Sequence, residues 1–298
     1  PIFPIGVKDL VFTENIKTTM GSKIYQNFMP DYNATVVEKL HHAGAIIIGK
    51  LNTHEFAYGP SGDVSYYGAV KNPHDTKRIS GGSSSGSGAA VSAGLCYGAI
   101  GTDTGGSIRI PSSSCGIVGM KPTFGRVSKH GVFPLAETLD HVGPMTRTVS
   151  DNALFLETIA GYDTKDLYSV NKPTEHFSRF IGSSISTKTI GVPSNFYFDA
   201  LDSEVGNSLK EAIKCLEELG TSVKAIELPM LSQAPWAQLK TIQSEAYMVH
   251  EKRMETNGQD YQIPVFERLE ESKKVTEDEY AKAQQIRLQA RKEFQQVF

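Results

Sequence analysis

From Gly81 to Ser112 the chain reads GGSSSGSGAAVSAGLCYGAIGTDTGGSIRIPS, with no bulky aliphatic side chain in either glycine-serine cluster. Two such clusters, Gly81–Gly88 and Gly105–Ser107, bracket the small apolar run Ala89–Ala99. Glycine permits positive φ and close approach of one backbone to another. Serine supplies hydroxyls that serve as nucleophile, relay or cap. A flexible linker would be glycine and serine throughout, with no packable middle. The pattern therefore predicts two loops folded onto one point and joined by a buried segment. Ser85–Ala93 is expected as a helix, Gly98–Thr102 as a central strand, Thr104–Ser107 as a turn, and Ile108 as the start of another helix.

Several common sites are excluded. A phosphate-binding loop needs Gly-Lys-Ser/Thr, and no lysine lies between Arg78 and Lys121. Gly86-Ser87-Gly88 is followed by Ala89-Ala90-Val91, which breaks the dinucleotide pattern. The G-x-S-x-G elbow is absent around Ser83 and Ser107. What remains is a serine-rich site without a histidine partner at motif level.

The stretch resembles the signature of the amidase signature family, the Ser–Ser–Lys amide hydrolases. The residues that carry the resemblance are Gly81-Gly82-Ser83-Ser84-Ser85-Gly86 and Gly101-Thr102-Asp103-Thr104-Gly105-Gly106-Ser107-Ile108-Arg109-Ile110-Pro111. It extends upstream through Gly6-Val7-Lys8-Asp9 and Lys50–Phe56, downstream through Gly119-Met120-Lys121-Pro122-Thr123, and fades after about Asp163. It implies an α/β fold with a large mixed β-sheet covered on both faces by helices. The whole of 1–298 would be one partial domain, incomplete at both ends, with a family-like core over about 1–163 and a peripheral α/β segment over about 164–298.

By the same resemblance Lys8, Ser83 and Ser107 are the catalytic residues, with Ser83 on a cis peptide after Gly82. The backbone N–H groups of Thr104, Gly105, Gly106 and Ser107 are the expected oxyanion donors. Ser84, Asp103 and Arg109 are the expected supports of the loops. The residues alone read differently at Lys8, where a strand-end lysine reaching to solvent is the ordinary case. A lysine in a dry setting, however, loses its charge readily and can act as a base.

Elsewhere the signals are structural. Val7–Val11 reads as a short strand. Asp31–Gly44 has helical period, with Val36, Val37, Leu40 and Ala43 on one face, and Ala45–Gly49 follows as a buried strand. This rhythm indicates layered α/β structure. His54-Glu55 invites a metal reading, but the second histidine of H-E-x-x-H is replaced by Tyr58. A pocket wall is the better reading, and no metal or cofactor is expected. His130, Asp140 and His141 offer a Ser–His–Asp alternative, which Lys8 and two serines make unnecessary. Cys115 reads as a buried structural thiol. Ser150–Gly161 is an amphipathic helix capped by Ser150, with Ala153, Leu154, Leu156, Ile159 and Ala160 inward. After Thr164–Ser186, which is polar, strands are expected at Thr189–Pro193 and Ser222–Leu228. Helices are expected at Ser203–Leu219, Pro235–Glu255 and Glu277–Phe298.

With 33 acidic residues against 30 basic, nothing electrostatic points to nucleic acid. No apolar run approaches the roughly 20 residues of a membrane span. Three cysteines without metal-like spacing suit reduced thiols in a cytoplasmic protein. The leading expectation is a free-standing amidase acting on a small carboxamide. The rival is the A subunit of a glutamine-dependent aminoacyl-tRNA amidotransferase, which alone would bring in RNA. Thr53-His54-Glu55-Phe56-Ala57-Tyr58-Gly59-Pro60 and Glu137-Thr138-Leu139-Asp140-His141 depart from the usual residues of that protein and favour the free enzyme. A non-catalytic amidase-like binding protein is disfavoured by the presence of Lys8, Ser83 and Ser107.

Overall fold

The computed structural model describes residues 3–298. The chain falls into two compact units, one comprising residues up to Arg179 with Ile242–Lys274, the other Phe180–Thr241 with Val275–Phe298. In chain order the first unit contains β1 (Phe3–Lys8), α1 (Thr35–His42), β2 (Ala45–Leu51), the hairpin β3 (Lys71–Asn72) and β4 (Asp75–Ile79), α2 (Ser85–Ser92) and β5 (Gly98–Asp103). It continues with α3 (Arg109–Cys115), β6 (Val118–Gly119), β7 (His141–Thr146) and α4 (Val149–Ile159). Its sheet is mixed, in the order β2-β1-β5-β7-β6. β1 runs parallel to β2 and β5, and β7 antiparallel to β5 and β6.

Side-chain alternation along the strands builds the two layers. Ile5, Val7, Ile100 and Val142 join Val36, Val37 and Leu40 of α1 and Phe155, Leu156 and Ile159 of α4 in one cluster. Ala99, one residue out of phase with Ile100, packs instead with Ala90 and Val91 of α2. Small residues let α2 lie close: a Cβ on Gly86 would come within 2.6 Å of the Asn52 backbone. Lys8 is out of phase with Ile5 and Val7 and so belongs to the α2 side, one residue past the Val7–Ile100 pair and next to Gly101 on β5. A Cβ at Gly101 would stand 3.1 Å from Ser84 Oγ and 2.7 Å from Met145 Sδ. Glycine there keeps room for Ser84, whose hydroxyl bonds the lysine.

Several expectations are corrected locally. β1 ends at Lys8 and the chain turns at Asp9 and Leu10, so Val7–Val11 is not one strand. The first helix starts at Thr35, and Ala43, its C-terminal cap, is exposed. β2 is an edge strand whose Ile46 and Ile48 are exposed. Thr148, not Ser150, caps α4: its backbone is extended and its side chain accepts from Asp151 N–H. Leu154 is exposed, whereas Asn152, Phe155, Leu156 and Ile159 are buried.

The second unit holds β8 (Thr189–Pro193), α5 (Ser203–Glu218) and β9 (Ser222–Ile226), with β8 and β9 paired in parallel. α6 (Ala234–Asn257) carries the chain back into the first unit, where α7 (Ile263–Ser272) follows, a helix without a clear sequence signal. α8 (Glu277–Val297) closes the second unit and starts with a Thr276/Glu279 capping box. No helix of the described residues is long and apolar enough to cross a membrane.

Candidate active site

The site begins with a lysine that should not be comfortable. Lys8 is fully buried at the end of β1, so the solvent-reaching reading is wrong for this residue. Its Nζ lies 2.7 Å from Ser83 Oγ, 3.0 Å from Ser84 Oγ and 2.7 Å from Thr102 Oγ1. Burial lowers its pKa from the ordinary 10.5 to about 7, against the opposing charges of Asp103 and Asp140. The amine is therefore poised to change protonation near neutrality.

Ser83 and Ser84 precede α2 and are completely buried. The Gly82–Ser83 peptide is cis. The Ser83 carbonyl is held by His54 N–H at 3.1 Å and Thr53 Oγ1 at 2.9 Å. Ser84 makes no side-chain cap on its own helix. Its hydroxyl instead donates to Thr102 O and accepts from Thr102 N–H, both at 3.1 Å, tying the loop to β5. His54 is buried: its Nδ1 accepts from Gly62 N–H at 3.2 Å, and burial holds its pKa down to about 4, so the ring is neutral.

Beyond β5 the chain turns through Thr104–Ser107 around Asp103, whose carboxylate accepts from Gly106 N–H at 2.8 Å and Ile108 N–H at 3.2 Å. Arg109 clasps the same carboxylate through Nε at 3.0 Å and Nη2 at 2.9 Å. Burial alone would raise the Asp103 pKa, but the Arg109 hydrogen bonds and charge hold it below the usual range. Among the expected oxyanion donors, the Gly106 N–H is the one that bonds Asp103. The N–H groups of Thr104, Gly105 and Ser107 make no such bond among the described residues. Gly106 sits at φ +132°, a conformation that glycine alone adopts readily. Ser107 is 8% exposed, and its carbonyl accepts from Ser84 N–H at 3.2 Å, joining the two serine loops. The structure thus brings Lys8, Ser83 and Ser84 into direct contact and links Ser107 to them through backbone.

The histidine–aspartate alternative is occupied otherwise. His141 turns Nδ1 to Leu139 O at 2.6 Å, and its Nε2 meets Lys121 Nζ at 3.2 Å. His130 stacks on Tyr32. Cys115 is buried, its Sγ 3.4 Å from Ser80 O, and burial pushes its thiol up to about 11. A cavity of about 260 Å³ adjoins the site, lined by Thr102, Thr104, Phe133, Asp140, His141 and Tyr168 among others. Thr53 and Thr102 are site-shaping residues to which the motifs assign no role, and Asp140 binds Thr104 instead of completing a Ser–His–Asp set.

The amidase family model matches residues 3–298. The chain belongs to the amidase signature family. It is 49% identical over 226 residues to the A subunit of the glutamyl-tRNA(Gln) amidotransferase of Coxiella burnetii (strain RSA 493 / Nine Mile phase I), covering 76% of this chain and 47% of that protein. The solved structure of the protein of the same name from Thermotoga maritima superposes with a TM-score of 0.87 at 34% identity, over 99% of this chain and 65% of that one. A structure described as a vestigial protein complex revealing the origins of an s-triazine catabolic enzyme gives 0.95 at 33% identity, over 99% and 64%. The chain thus spans about half the length of the curated relative it matches. The mixed sheet flanked by helices is the architecture of these amidase signature structures.

Proposed function

We propose that this polypeptide is the signature portion of an amide hydrolase in which Ser107 attacks a carboxamide carbonyl and Ser83 and Lys8 carry the proton. The observation that supports this most is the fully buried contact of Lys8 Nζ with Ser83 Oγ. A neutral amine has two N–H donors and one lone pair. Ser84, whose own proton goes to Thr102 O, and Thr102 Oγ1 accept the two N–H groups, leaving the lone pair for the Ser83 hydroxyl. Ser83 passes the Ser107 proton to Lys8 as the Ser107 Oγ–carbon bond forms. The same proton returns through Ser83 to the nitrogen as the carbon–nitrogen bond breaks, since an amine leaves only when protonated. Water then cleaves the acyl-enzyme. The N–H groups of Thr104, Gly105 and Ser107 are the proposed oxyanion donors, with Ser84, Asp103 and Arg109 as loop supports.

Trapping with an amide or activated ester, followed by peptide mass mapping, should place the acyl group on Ser107 and nowhere in Ser107→Ala. Label on Cys115 or another serine would sink the assignment.

A second reading, one chain of a glutamine-dependent aminoacyl-tRNA amidotransferase, is favoured by the name of the 49% identical relative, against the free-enzyme preference drawn from residues 53–60 and 137–141. The full-length protein decides between them by ammonia release from a carboxamide panel that includes glutamine. A free amidase works alone on simple amides. An amidotransferase chain turns over only with its partner chains and misacylated tRNA, and then only glutamine.

A further inference from the structure

The antiparallel pairing of β5 with β7 places Asp103 opposite His141. One step further, past both strand ends, Thr104 meets Asp140: Thr104 Oγ1 donates to Asp140 Oδ1 at 2.5 Å. The same carboxylate accepts Leu135 N–H at 2.9 Å and Ala136 N–H at 3.1 Å. Every one of these partners donates, which is the environment of an ionised carboxylate. Thr104 opens the turn that carries Ser107, and the Thr102 hydroxyl that accepts from Lys8 lines the same cavity as Asp140.

We propose that Asp140 is a positioning residue for amide hydrolysis, anchoring the Ser107 loop through Thr104 and supplying a negative charge to the cavity that Thr102, a hydrogen-bond partner of Lys8, also lines. The proposal rests on the amide-hydrolase reading above. The titratable groups whose charges interact with that of Lys8 are Asp103 from β5, Asp140 from the approach to β7, and His54, itself neutral, from the 53–58 turn. Asp103, whose charge acts on Lys8 the more strongly, is clasped by Arg109, and Asp140 is the second carboxylate whose charge acts on it. Lys129 is the cation whose charge acts on Asp140. Burial pushes Asp140 up to about 6, so it is ionised where Lys8 begins to lose its proton near 7.

The two parts of this role separate experimentally in the full-length protein. Asp140→Asn removes the charge, which should favour neutral Lys8 and move the acid limb of kcat/KM for an amide about one pH unit lower. Thr104→Val cuts the anchor but keeps the charge: kcat should drop about tenfold or more, with the acid limb and KM unmoved, and Thr104→Ser should restore it. Coincident acid limbs for wild type and Asp140→Asn, with Ser107 still labelled by the trapping reagent, overturn the electrostatic role. An unchanged kcat in Thr104→Val overturns the anchor, and this test stands even if Asp140→Asn does not fold. Failure to label Ser107 in the wild type overturns the amide-hydrolase reading and this proposal with it.

Discussion

A primary amine is an efficient base at neutral pH only when something strips its hydration, and at Lys8 that is complete enclosure by three hydroxyls and the sheet. The sign of the pH effect follows. Below about 7 the amine holds its proton and cannot accept one from Ser83, so kcat/KM should rise with pH through that value. Lys8→Ala should lower amide turnover by roughly 10²–10⁴. The loss on a matched ester with a good leaving group should be smaller, because an alkoxide or phenoxide departs without being protonated. Parallel steady-state assays check this, and equal losses would reduce Lys8 to a spacer. The Lys8–Ser83 juxtaposition is legible in the sequence because both residues lie in unbroken motifs. The roles of Thr53, Thr102 and Asp140 are not, although the first two lie within matched stretches, since each acts on the site through strand register or a distant turn that the motifs do not encode.

Elements reveal where local signals mislead. A helix start looks alike at Thr148 and Ser150, and only the extended backbone of Thr148 with its bond to Asp151 N–H selects between them. Thr148→Ala should cost about 1 kcal/mol in thermal or denaturant unfolding and leave turnover unchanged, whereas Ser150→Ala should cost much less. The Ala45–Gly49 run reads as fully buried because Ile-Ile-Ile has no alternation. Its position at the sheet edge, fixed by pairing with β1, is what exposes Ile46 and Ile48. The helix–strand rhythm and the small-residue helix α2 are readable, by contrast, because their determinants are periodicity and side-chain size within one segment.

At the scale of the whole molecule, the first unit is closed by Ile242–Lys274, chain that returns to it after leaving at Arg179. Glu55 accepts from Gln262 N–H at 2.8 Å, Tyr58 OH pairs with Ser272 Oγ at 2.7 Å, and Thr138 N–H donates to Glu245 at 3.0 Å. His250, Tyr261, Val265 and Leu269 pack into the cluster of Phe56 and Phe133. Burial raises the Glu55 pKa from 4.5 to about 7, against hydrogen bonds from Ser22 and Gln262. Between those values the folded chain keeps a proton that the unfolded chain has released, so this group's contribution is present at low pH and lost as pH rises through about 7. Glu55→Gln should remove that loss, gaining on the order of 3 kcal/mol on wild type between pH 4.5 and pH 7.5 in paired denaturant titrations. A constant difference across pH would contradict it. Thr53 and His54, which grip the Ser83 carbonyl, sit directly beside Glu55. All three proposed reactive side chains occur by residue 107, yet the brace that sets one of them is completed at Gln262. The chemistry is written early in the chain and becomes mechanically sound only late, so the N-terminal motifs are not a portable cassette.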